Sequence, residues 1–198
     1  MPSSSFQQTY IDRAPISLGI QTPESFRPPM VLISTLSIEA CGEELTGMGA
    51  SNMASATYPS ASRVLAYPFE IADDFLVMKV FWVNGTTAST DTADVGVYNE
   101  PGTSLIVHGS AAITGGSIVQ EVDCTDTLLT PGRYWCAYIQ GGVTATPMMC
   151  AIDLALARSM GCAQQAGSGS ALGSTFTPAA LAAANIPWCG IAGRTQVA

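Results

Sequence analysis

Charge is scarce in this sequence. Only 11% of its 198 residues are Asp, Glu, Lys or Arg, against about 25% in an average soluble domain. A free monomer relies on charge to stay dispersed, so a surface poor in charge and rich in Ala, Ser, Thr and Gly is expected to be covered by other protein. Positive charge is scarcest of all. Lys79 is the sole lysine, Arg13, Arg27, Arg63, Arg133, Arg158 and Arg194 are scattered singly, and the net charge is −8. Tracking phosphates requires clustered cations, so nucleic acid is not an expected partner.

Long apolar runs are also missing. Residues 75–83 form the longest strongly apolar stretch and contain Lys79, far short of the roughly 18 apolar residues a spanning helix needs. No membrane association is expected. Residues 1–13 hold Pro, Ser and Gln where a signal peptide has a basic start and an apolar run. Cytosolic synthesis without export is the expectation. The six cysteines, Cys41, Cys124, Cys136, Cys150, Cys162 and Cys189, contain no Cys-x-x-Cys pair, which argues against structural zinc. In a cytosolic chain they read as reduced and buried, acting as small apolar side chains.

Catalytic chemistry has little to work with. His108 is the only histidine, and any Ser-His-Asp or Cys-His arrangement would have to use it. It falls at the end of a predicted strand beside Gly109, with no marked nucleophile next to it, and reads as structural. The acidic pairs Asp73-Asp74, Asp91 with Asp94, and Asp123 with Asp126 are the candidates for glycoside cleavage or for calcium. All fall in predicted turns, where short acids cap the backbone, and the EF-hand spacing is absent. The Gly-rich run 167–173 lacks the lysine of a phosphate loop. Asn84-Gly85-Thr86 matches a glycosylation acceptor but reads as a turn. No enzymatic activity, catalytic residue, metal or cofactor is expected.

What the sequence does contain is strand vocabulary. Residues 1–57 read as an extended N-terminal arm and linking segment, because Pro15, Pro23, Pro28 and Pro29 bar regular helix. The arm carries Phe6, Tyr10, Ile16, Leu18 and Phe26, side chains that call for a groove on a neighbour rather than solvent. From residue 58 to 198, short runs rich in β-branched and aromatic residues alternate with turn chemistry about every ten residues. The fold class expected is all-β: an antiparallel, jelly-roll-like β-sandwich with one short helix and the extended arm. Strands are predicted over 63–71 and 75–83, then a hairpin from 94–98 to 105–108, then 118–122 and 133–139. In 75–83, alternation places Phe75, Val77, Lys79, Phe81 and Val83 on one face and Leu76, Met78, Val80 and Trp82 on the other. A helix is predicted over 151–160 with Gly161 as its stop. Residues 163–174 read as a flexible Gly/Ser-rich tail.

Several of these pieces, in their order, resemble tailed-bacteriophage virion proteins, the small β-sandwich proteins found as head decorations, head fibres or tail components. The pieces are Tyr67-Pro68-Phe69, Val80-Phe81-Trp82-Val83-Asn84-Gly85, Asp94-Val95-Gly96-Val97-Tyr98-Asn99, Glu121-Val122-Asp123-Cys124-Thr125-Asp126-Thr127, Leu129-Thr130-Pro131-Gly132-Arg133-Tyr134-Trp135 and Ile186-Pro187-Trp188. The similarity runs from residue 58 to 193 and leaves out the arm. It implies a place on the virion surface and no enzymatic activity, without separating capsid from tail.

The expected function is therefore structural. The chain would attach to the capsid or tail surface and stabilise or decorate it through homo-oligomeric packing, with a trimer the expected state. Its partners would be other copies of itself and the major capsid or tail proteins. The alternative is a module that recognises host-surface carbohydrate, for which Tyr98, Trp135 and Trp188 are the candidate glycan or subunit contacts.

Overall fold

The computed structural model describes residues 53–151, 153–167, 169–182 and 185–195. The arm, with Phe6, Tyr10, Ile16, Leu18 and Phe26, lies outside the described residues. The strands are β1 (Met53–Ser55), β2 (Arg63–Ile71), β3 (Phe75–Val83), β4 (Thr92–Asn99), β5 (Leu105–Ala112), β6 (Val119–Leu129), β7 (Gly132–Gln140), β8 (Met148–Ala151), β9 (Ala163–Ala166), β10 (Ala179–Ala180), β11 (Asn185–Pro187) and β12 (Cys189–Thr195). One helix, α1 (Leu154–Ser159), accompanies them among the described residues. The protein is mostly β, with antiparallel sheets.

The strands pair as a nested hairpin. Strand β2 pairs β7, β3 pairs β6 and β4 pairs β5, all antiparallel. The large sheet runs β10-β9-β2-β7-β4-β5 and the smaller one β12-β3-β6. Between β2 and β7 the chain crosses between these sheets four times, at residues 72–74, 84–91, 113–118 and 130–131. Three nested pairs rolled across two sheets are a jelly-roll-like wrap, with the innermost hairpin kept inside the large sheet. A third sheet, β1-β8-β11, forms its own ladder and packs Met149, Cys150 and Ile186 into the same core. Because β1 belongs to it, the folded body takes in Met53–Ser55, which the sequence reading placed in the linking segment.

The core lies between the two larger sheets. Leu65, Tyr67 and Phe69 of β2 and Cys136 and Tyr138 of β7 meet Phe75, Val77, Val80 and Trp82 of β3. The expected alternation in β3 fails halfway along, and a bulge is the reason. Met78 is an extra residue against β12, where Val77 and Lys79 pair with the adjacent Gly193 and Ala192, and the register with β6 is irregular at the same place, so Phe75 and Val77 point inward before it and Val80 and Trp82 point inward after it, all four fully buried. A bulge adds one residue and resets the phase of every side chain beyond it. Lys79 is thereby turned outward.

The outer face of the large sheet is covered as well. Val64, Ala66, Tyr98, Ala137 and Ile139 form a second cluster with Leu172 and Phe176, which come from the stretch after β9. The expected flexible tail over 163–174 is instead strand β9 followed by a strap across the sheet. Its anchors are apolar residues that a Gly/Ser count overlooks. The helix is also shorter than expected, because residue 151 closes strand β8. Asp153 caps it by accepting from the backbone N–H of Ala155 at 2.9 Å. Gly161 ends it with φ of 82°, as expected of a helix stop.

Among the described residues, Cys124, Cys136, Cys150, Cys162 and Cys189 carry free thiols. Burial pushes Cys150 up to about 11 and Cys162 up to about 12, which makes them poor nucleophiles. Titration in denaturant without reductant is expected to find every cysteine of the chain as a free thiol. Disulfide-linked fragments in a non-reducing digest would contradict it.

Candidate functional site

Two places concentrate polar and exposed side chains. The first is on the outer face of the large sheet. Asp94 on β4 is fully buried and faces His108 on β5, with His108 Nδ1 at 3.0 Å and 3.2 Å from the two carboxylate oxygens. The backbone N–H of Leu172 donates to Asp94 Oδ2 at 2.9 Å, so this carboxylate fastens the strap to the sheet. Burial pushes the Asp94 carboxyl above the usual carboxylate range, while the Leu172 N–H and His108 pull it back down. His108 sits in the middle of β5, not at its end. Its partner is the carboxylate across the hairpin.

Gly96 makes this approach geometrically open. It pairs with His108 in register, and a Cβ built on it would lie 2.7 Å from His108 Cβ and 2.9 Å from Leu172 Cδ1. Gly96→Ala is therefore expected to destabilise the protein by about 1–3 kcal/mol through overpacking, measured by urea unfolding. A loss under about 0.5 kcal/mol, the range of ordinary surface changes, would show that the strap can shift without cost.

The aromatic candidates divide between the two sheets. Tyr98 and Trp135 are register partners on β4 and β7, and both pack against Phe176 of the strap, with ring centroids 5.6 Å and 5.3 Å away. Tyr98 donates to the carbonyl of Gly173 at 2.7 Å, and the Trp135 indole donates to the carbonyl of Glu100 at 2.8 Å. Trp188 lies between β11 and β12, packed against the main core, and its buried indole N–H has no hydrogen-bond partner among the described residues. The three do not form one surface. Buried tyrosine and tryptophan normally spend their polar handle on a protein acceptor, as the first two do here.

Of the acids expected in turns, Asp94, Asp123 and Asp126 lie instead within strands β4 and β6, and Asp91, just before β4, has protein partners. Asp91 Oδ2 accepts from the N–H groups of Thr144 and Ala145 at 3.2 Å and 3.3 Å. Asn84, the glycosylation candidate, is fully buried with its amide engaged. It accepts from the Trp82 indole at 2.8 Å and donates to Thr114 O and Gln120 Oε1, both at 3.0 Å. An oligosaccharyl group could not reach it in the folded chain.

The second place is the outer face of the β12-β3-β6 sheet, which sequence reasoning missed because the bulge brings Lys79 to the side of Leu76 and Met78. Met78 is 39% exposed and Leu128 49% exposed. Around them, Lys79 pairs with Glu121 at 2.9 Å and lies 3.8 Å from Asp123. Leu76, between Arg194 and Leu128 in register, is half-buried.

No family model, no curated protein and no solved structure matches the chain.

Proposed function

We propose that this protein is a non-catalytic structural component of a bacteriophage virion, attached to the capsid or tail surface through packing between copies and onto its neighbours. The observation that carries the reading is the contrast between its two sheets. The large sheet has its apolar side chains covered on both faces, by the core on one side and by the Leu172 and Phe176 strap on the other. The small sheet leaves Met78 and Leu128 open on its outer face, in a chain that has little charge to keep it dispersed. Exposed apolar side chains gathered on one sheet face are the mark of an interaction surface. The sandwich with a nested wrap supports the same reading, since such folds serve as rigid bodies in shells. The carbohydrate alternative draws less support, because Tyr98 and Trp135 are occupied by Phe176.

Purified particles probed with antibody against this chain test the proposal. Regular labelling on the particle exterior is expected. Absence of the chain from intact particles that contain their other structural proteins would overturn it.

A further inference from the structure

We infer that the outer face of the β12-β3-β6 sheet pairs with the same face of a second copy of this chain, about a two-fold axis parallel to β3. The inference rests on the assembly reading above and names its partner. The argument comes from the order of charges across three strands. Strand β3 is central, β12 lies on one side and β6 on the other. Leu76 of β3 pairs in register with Arg194 of β12 on one flank and with Leu128 of β6 on the other. Arg194 is exposed and meets no carboxylate among the described residues. The β6 flank carries Glu121, Asp123 and Asp126, all exposed, against the single cation Lys79. One edge of the face is basic and the other is acidic in excess, with apolar side chains between them.

A two-fold axis along the middle strand is the operation that satisfies this pattern. It lays the β12 edge of each copy over the β6 edge of the other, and an isologous contact makes every such pairing twice. Arg194 of one copy then stands over Leu128 of the other. Asp126, two residues away along a strand that rises roughly 3.4 Å per residue, falls within reach of the guanidinium. Leu76 and Met78 meet their own counterparts at the centre. Lys79 leans toward its own Glu121, so the two lysines tilt apart, each toward the small Ala192 of the other copy. Rotating the second copy by 180° in the plane instead would stack the acidic edges on each other. The result is a pair of chains in place of the trimer expected from composition.

Sedimentation equilibrium on the full chain at low and high salt tests this, using wild type, Arg194→Asp, Asp126→Arg and the double variant. Both residues are exposed, so neither reversal buries a charge in the core. Wild type is expected to form a species of twice the chain mass that weakens with salt. Each single reversal is expected to weaken pairing about tenfold or more, and the double variant to recover it. A wild-type monomer at 100 μM, on the order of the weakest specific contacts, would overturn the pairing, as would single reversals without effect or a double variant that stays apart. Particle labelling is a separate readout. A monomeric chain that still labels particles overturns only the pairing, and a paired chain absent from particles overturns only the virion reading.

Discussion

Asn84→Ala is expected to lower stability by about 3–5 kcal/mol, measured by urea unfolding. Asn84 ties three elements together: the Trp82 indole on β3, the Thr114 carbonyl before β6, and the Gln120 amide on β6. Alanine would leave the Trp82 N–H buried without its acceptor, and an unsatisfied buried polar group alone costs about 1–3 kcal/mol. The cavity left by the amide adds to this. Gln120 Oε1 keeps one partner, the backbone N–H of Thr114 at 3.1 Å, so that end of the network is only partly disrupted. Asn84→Asp offers a control. It retains the acceptor for Trp82 but loses the donor to Thr114 and Gln120, and it buries a carboxylate beside two carbonyl oxygens. Its stability is expected to fall at least as far as that of the alanine variant at neutral pH. A cost below about 1 kcal/mol for Asn84→Ala, the net value of one ordinary hydrogen bond, would show that the network does not hold these strands.

Asp94→Ala is expected to cost about 3 kcal/mol, the lower end for breaking a buried pair, since its partner His108 is half-exposed. The Leu172 N–H loses its acceptor, and the strap loses its tie to the sheet. Asp94→Asn keeps an oxygen for Leu172 and is expected to cost less. Its pH dependence carries a sign that can be checked. The folded state raises the Asp94 carboxyl above its ordinary value because burial disfavours the charge. Its contribution to stability is therefore fully present below the unfolded value, about 3.9, and is lost as pH rises through the folded value. Asparagine is uncharged throughout, so the variant should gain on wild type as pH rises across that window. Urea midpoints of both proteins at pH 4 and at neutral pH would show it. A gap that moves in favour of wild type on the way up would mean that His108 and Leu172 outweigh burial.

How far the sequence was legible can be read from individual residues. Strands over 63–71 and 75–83 were visible because β-branched and aromatic runs were bounded by Ala72-Asp73-Asp74, and the hairpin was visible through Asn99-Glu100-Pro101-Gly102. Gly102 takes φ of 72° there, which the turn needs and which only glycine adopts freely. The inward face of β3 beyond Val77 was not legible, since a bulge depends on the partner strand and leaves no periodic mark. Nor was the strap. Leu172 and Phe176 are the only large apolar residues in a run of Gly, Ser, Thr and Ala, and a single pair gives no periodicity to count. The Asp94 and His108 pair was hidden for a different reason: the two residues are fourteen apart in sequence and meet only through the β4-β5 register. The open face of the small sheet needed the bulge and the three-strand order together, so no linear pattern could announce it.

The side chain that reports most directly on that face is Met78. Its side chain is exposed in the single chain and is covered when the face is occupied, so its oxidation rate reads the occupancy. Brief peroxide treatment of assembled particles and of the free Arg194→Asp variant, followed by peptide mass analysis, compares the two states. Met78 is expected to oxidise at the rate of an exposed methionine in the free variant and far more slowly in the particle. Equal rates in both would contradict the claim that this face is an assembly surface.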